Sequence, residues 1–124
     1  MRSSLKVAEL TAWHEKETIL HNISVEILPA QVTVLMGTSG SGKTTLLLCV
    51  LGIHKAHSGK IFLGNKDITN LSIEKRNIGY LQQDYGLFPK MNVQENVAFG
   101  LRVRGVGQKE RIQKAHEILE MVNL

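Results

Sequence analysis

Apolar and polar residues alternate along residues 5–10 (LKVAEL), the period of a strand with one face buried. The polar run 12–18 (AWHEKET) reads as a connection. Residues 19–28 (ILHNISVEIL) alternate again through Ile23, Val25 and Ile27, which predicts a second strand, and Pro29 and Ala30 break it. Residues 32–36 (VTVLM) are almost wholly apolar and rich in β-branched side chains, the pattern of a short strand covered on both faces. The glycines at 37, 40 and 42 then require a loop, because they would weaken either regular element. Residues 44–51 (TTLLLCVL) predict a buried helix, with Gly52 placed to end it.

Further along, 57–59 read as a turn, 60–63 as a strand and 64–65 as another turn. Residues 77–82 (NIGYLQ) predict a strand with a glycine interruption, and 83–90 an irregular segment in which Gly86 and Pro89 oppose regular structure. Asn92 followed three residues later by Glu95 is the pattern of a capping box, so a helix is expected from there to about Leu101. Residues 104–107 (RGVG) break it. From Gln108 onward Ile112, Ala115, Leu119 and Val122 recur at helical spacing between charges, an amphipathic helix. The order of elements predicts an α/β fold in two lobes, 1–83 and 84–124, divided near Gln83.

The chemistry lies at residues 37–45, GTSGSGKTT, which match the pattern G-x-x-x-x-G-K-[ST] through Gly37, Gly42, Lys43 and Thr44. A polyphosphate is a dense anion that must be gripped without bulky side chains in the way. The glycines let the backbone curl so that successive N–H groups of Thr38, Ser39, Gly40 and Ser41 turn inward. A helix starting beside Lys43 adds the positive end of its dipole. Lys43 supplies a full charge to the β- and γ-phosphates, Thr44 offers a hydroxyl to Mg²⁺, and Thr45 reaches the α-phosphate. An apolar segment ending just before the motif and a helix beginning inside it are the context that this mechanism requires. ATP is therefore the expected ligand, with Mg²⁺ as its companion. The loop alone leaves the reaction open, since kinases, GTPases and motor ATPases share it. A guanine-reading N-K-x-D motif is absent, because Asn65-Lys66-Asp67 lacks the spacer.

Composition narrows the classes. Aromatic residues are only 5% of the chain, too few for a stacking surface along single-stranded nucleic acid. The net charge of +4 comes from scattered cations, so no nucleic-acid partner is expected. A lone cysteine, Cys49, lies in an apolar run and reads as a small buried hydrophobe. No stretch approaches the roughly 20 apolar residues of a membrane span. His54 and His57 have H-x-x-H spacing but no third ligand nearby, so a surface turn is expected rather than zinc. Lys75 and Arg76, and Arg102 and Arg104, read as solvated faces, the latter pair with the alternative of touching a membrane partner.

GTSGSGKTTLL closely resembles the Walker A motif of ABC transporter ATPases, and residues 79–101 (GYLQQDYGLFPKMNVQENVAFGL) resemble the Q-loop region of that family. Asp67-Ile68 after a Gly-Asn turn is similar to the family's β-hairpin. The resemblance runs over essentially the whole chain and is strongest to bacterial importer ATPases of the polyamine, ferric-iron and sulfate type. It implies a P-loop NTPase-like core with an antiparallel β subdomain and the start of a helical subdomain. It implies that Gln83 is the Q-loop glutamine that touches Mg²⁺ or its water, with Gln82 as the adjacent candidate. It implies that Trp13, or His14 one residue on, stacks on adenine. The implied partners are transmembrane permease subunits, engaged through the Q-loop region, and a second ATPase subunit in a homodimer or heterodimer. The implied place is the cytoplasm, peripheral to the inner face of the cell membrane.

Several of that family's motifs have no counterpart in these residues. There is no LSGGQ signature, no second apolar strand ending in Asp-Glu and no switch histidine. The chain is therefore expected to be the N-terminal portion of a cassette, an incomplete one, with no catalytic residue of its own. Asp67 and Glu95 are the carboxylates to weigh as a catalytic base, and both read better as a turn residue and a helix cap. The alternatives to an importer subunit are an ATP-binding fragment without turnover and a non-transport ABC ATPase. The latter would carry arginine-rich insertions or a tandem cassette, and neither is present.

Overall fold

The computed structural model describes residues 3–14 and 17–124, which form two compact units, one reaching to Tyr80 and the other Leu81–Leu124. In the first unit β1 (Leu5–His14), β2 (Glu17–Ile27), β3 (Ser58–Leu63) and β4 (Lys66–Asp67) form one antiparallel sheet in the order β2-β1-β3-β4. The expected connection at 12–18 is mostly strand instead. Ala12 pairs with Leu20 and Trp13 with Thr18, because Ala12 is an apolar residue that the core can take; Glu15 and Lys16 lie outside the described residues.

The apolar pattern of β1 is explained by a break in its register. Val7 faces Val25 on one side and Ile61 on the other, but the register shifts between there and Leu10. Glu9 takes a positive φ of 51° at this point, and its N–H donates to Ser24 Oγ at 2.9 Å rather than to a strand. An inserted residue of this kind turns the next side chain to the opposite face. Leu10 thus joins Val7 and Ala12 inside, where strict alternation would have sent it out. Asn22, with φ 51°, accompanies the matching shift in β2 between Leu20 and Ile23.

The inner face of the sheet carries Val7, Leu10, Ala12, Leu20, Ile61 and Ile68, and α1 (Lys43–Leu51) lays Leu46, Cys49 and Val50 against it. Each such fully buried aliphatic side chain contributes about 1.5–3 kcal/mol by leaving water. The expected burial of Cys49 is met. α1 ends as its sequence predicts: Gly52 takes φ 84°, and its N–H donates to Leu48 O and Cys49 O.

Two expected strands are not formed. Residues 32–36 are irregular and exposed, Val32 at 94% and Val34 at 72%. A fully apolar strand needs ladder partners at its edges and cover on its faces, and no strand among the described residues runs beside it. Residues 77–82 are irregular as well. Asn77 sits in the left-handed region with φ 54°, closing the short α2 (Ile73–Arg76), and no described strand pairs with the segment that follows.

The second unit is a pair of packed helices, α3 (Val93–Val103) and α4 (Gln108–Met121), preceded by turns. Both were legible from sequence. The capping box is present in full: Asn92 Oδ1 accepts from Glu95 N at 2.8 Å, and Glu95 Oε2 accepts from Asn92 N at 2.9 Å. Ala98, Ala115 and Leu119 are the buried seam between the helices, and Gln94 Nε2 meets His116 Nε2 at 2.7 Å.

Candidate functional site: a phosphate-binding loop

Residues 37–42 curl before α1 begins at Lys43. The curl uses positive φ at Gly40 (80°) and Gly42 (85°). Gly42 also has no room for a side chain, because a β-carbon there would lie 2.8 Å from Leu20 Cδ2 and 3.3 Å from Ile19 O. Contact with β2 therefore fixes where the loop meets the helix. The first helical hydrogen bond, Leu46 N to Gly42 O, is 2.9 Å.

The start of α1 differs from the other helix starts in its lack of a first-turn acidic residue. No side chain caps it and no acidic residue stands in its first turn. The N–H groups that a Ser, Asp or Glu would otherwise occupy are left with the positive end of the dipole and no resident anion. This is the electrostatic form of an anion site, and Lys43 adds a charge to it. Its ammonium donates to Gly37 O at 2.8 Å, to Thr38 O at 2.6 Å and to Ser41 Oγ at 3.2 Å, so the side chain lies back along the loop rather than out in solvent.

A hollow of about 570 Å³ opens over this loop. Residues 39–45 line it, together with His14, Ile19, Leu48 and His54. Gly37 and Thr38 meet the site through the carbonyls that hold Lys43. The polar side chains of the lining are the hydroxyls of Ser39, Ser41, Thr44 and Thr45, the Lys43 ammonium and the His14 and His54 rings, and hard oxygen donors such as the hydroxyls fit Mg²⁺ held between protein and phosphate. Trp13 is not part of the lining. Its ring stacks on His57 with centroids 4.0 Å apart and planes 13° from parallel. Its neighbour His14 does line the hollow, with the His54 ring 6.5 Å away, and His54 Nε2 is 2.7 Å from Trp13 O. His54 and His57 thus both contact Trp13, the first at its carbonyl and the second at its ring. Gln83, in the second unit, is exposed, as is Gln82.

The two candidate carboxylates are engaged locally. Asp67 Oδ1 accepts from Thr69 N at 2.9 Å and from Thr69 Oγ1 at 2.6 Å, and these bonds hold its carboxyl below the usual range. Glu95 is the capping-box acceptor. Asp67 does not line the hollow. Sequence reading missed two residues. Arg76, expected on a solvated face with Lys75, is buried at 4% exposure and bonds four carbonyls; only Lys75 is exposed. Asn96 gathers the turn before α3: its Nδ2 donates to Phe88 O, Met91 O and Asn92 O, and its Oδ1 accepts from Phe88 N. Among local sequence signals, only its place one residue after the capping Glu95 marked Asn96 out, and nothing marked Arg76.

The family model described as ABC transporter matches residues 20–124. The chain belongs to the ABC transporter family. It is 46% identical over 121 residues to a molybdate/tungstate import ATP-binding protein of Methanocaldococcus jannaschii, covering 97% of this chain and 40% of that protein. It is 38% identical over 123 residues to an Fe(3+) ions import ATP-binding protein of Escherichia coli O157:H7, covering 99% of this chain and 35% of that one. A sulfate/thiosulfate import ATP-binding protein of Mesorhizobium japonicum is 39% identical over 124 residues, with coverage of 97% and 36%. Among solved structures, the ATP-binding cassette MJ0796, a dimer in a post-hydrolysis state bound to ADP and Pi, superposes with a TM-score of 0.79 at 27% identity. That match covers 97% of this chain and 57% of the solved one. The chain thus spans roughly 35 to 40% of the length of these curated relatives. No helix among the described residues is long and apolar enough to cross a membrane.

Proposed function

We propose that this chain is the ATP-binding portion of an ABC importer subunit, which takes up ATP with Mg²⁺ on the loop at 37–45. The observation that carries this is the uncapped start of α1 beneath a hollow lined by residues 39–45, with Lys43 lying along the loop. Lys43 would meet the β- and γ-phosphates, the amides of the loop would take the remaining oxygens, and the Thr44 hydroxyl would hold Mg²⁺, with Gln83 the second contact that the family resemblance implies. Bound Mg²⁺ would offset phosphate charge. His14 and His54, in the lining, are candidates to meet the base, as is Trp13, whose ring stacks on His57 through one face and is 45% exposed. Importer ATP-binding proteins among the relatives support a role at the cytoplasmic face of a membrane, beside permease subunits and a second ATPase subunit. The cargo would be chosen by those other subunits.

A second reading, ATP binding without turnover by this chain, is favoured by one observation: among the described residues of the first unit, no carboxylate lines the hollow. Calorimetric titration with ATP and Mg²⁺ tests the first reading. Weak binding is expected for the wild type, and none for Lys43→Ala; equal affinity of the two would overturn the phosphate site. Phosphate release measured on the same samples tests the second, and sustained release dependent on Lys43 would remove it.

A further inference from the structure

The far end of the phosphate-loop helix is held by a buried arginine. Arg76 Nη1 donates to Cys49 O at 2.9 Å and to Val50 O at 2.8 Å, two carbonyls in the last turn of α1. The same side chain donates through Nε to Leu71 O at 2.9 Å and through Nη2 to Thr69 O at 2.7 Å. These last two acceptors lie in the segment joining β4 to α2. One guanidinium therefore bridges the helix and the segment that leaves the sheet. No acidic side chain among the described residues pairs with Arg76, so the negative end of the helix dipole and these carbonyls are what balance its charge.

No basic residue stands in the last turn of α1, and the residues that precede the loop, 32–36, are exposed and lie in no strand. The orientation of α1 therefore rests on its apolar face, on the contact of Gly42 with β2 at its start and on Arg76 at its end. Since a nine-residue helix behaves as a short rigid rod, a tilt at one end moves the amides at the other.

We propose that Arg76 is a positioning residue for nucleotide: by fixing the C-terminal end of α1 it sets where the loop amides and Lys43 stand, without itself reaching the ligand. This rests on the ATP-binding reading above. Removing the guanidinium takes the side-chain donor from Val50 O and leaves Cys49 O only the Gly52 N–H, so the end of α1 is free to shift. The nucleotide should then lose affinity even in molecules that remain folded.

The test measures ATP–Mg²⁺ affinity by calorimetry, and folding by circular dichroism, for wild type, Arg76→Ala and Arg76→Lys. The expected result is at least about a tenfold loss of affinity in folded Arg76→Ala, with recovery when millimolar guanidinium is added to refill the space. A role in stability alone would lower the melting temperature of Arg76→Ala and leave the affinity of its folded molecules unchanged; that outcome overturns the proposal. If Arg76→Ala does not fold, Arg76→Lys, which keeps a charge but cannot span four carbonyls, decides below its melting temperature: weakened binding supports the proposal and wild-type affinity refutes it. Absence of ATP binding in the wild type would remove the nucleotide reading, and this inference with it.

Discussion

Gly52 and Arg76 compete for the same space: a β-carbon on Gly52 would lie 2.6 Å from Arg76 Nε and 2.7 Å from its Cζ. Gly52 also holds φ 84°, which an L side chain adopts only at a cost. Gly52→Ala should therefore do two things at once, straining the backbone and pushing the guanidinium from the carbonyls of α1. A loss of about 2–3 kcal/mol is expected. Urea unfolding would read it, and in the Arg76→Ala background the same substitution should cost clearly less, because the clash is gone.

Residues 32–36 offer a prediction opposite to the one their composition suggests. A strand covered on both faces would lose several kcal/mol on receiving a charge. With Val34 exposed, Val34→Lys should change stability by less than about 0.5 kcal/mol. Leu10→Ala, at a fully buried position, should cost about 2–5 kcal/mol. Thermal unfolding of the two variants side by side checks the contrast.

Asn96 is expected to matter more than its partial exposure suggests. Asn96→Ala removes the donor for three carbonyls and the acceptor for Phe88 N, at a cost of about 1–3 kcal/mol to the local turn. Amide exchange at Phe88 should accelerate at least about tenfold, while the exchange of Leu10 in the sheet stays as it was.

Acid should loosen the turn after β4. The Thr69 hydroxyl and amide bond the ionised form of Asp67, which lowers its folded pKa below the unfolded value of about 4. That contribution is present above the unfolded pKa and is lost as pH falls through the folded one. Exchange of the Thr69 amide should accordingly rise below about pH 4, and Asp67→Asn should flatten this dependence. An unchanged profile in the variant would count against the assignment.

Much of this was legible in the residues. The loop at 37–45, the helix that follows it and its glycine stop are local matters of φ, dipole and spacing, and they stand where sequence puts them. So does the capping box at Asn92. What escaped reading depends on residues distant in sequence. Residues 32–36 have a strand's composition, but composition cannot supply a neighbour. The bulge at Glu9 depends on Ser24, and it explains why Val7 and Leu10 share a face. Arg76 looked like an ordinary surface cation because its four acceptors, from Cys49 to Leu71, are carbonyls, which leave no trace in side-chain pattern. Trp13 and His14 differ by one position, and only the strand register sends the indole to His57 and the imidazole to the hollow.

The stacking of Trp13 on His57 has a practical consequence. The chain contains a single tryptophan, and its backbone carbonyl touches His54, a residue of the hollow's wall. Its emission comes from one place only, so a ligand that shifts His54 or His14 would change the colour or intensity of the protein's own light. Occupancy of the loop could then be followed in real time, without any dye attached.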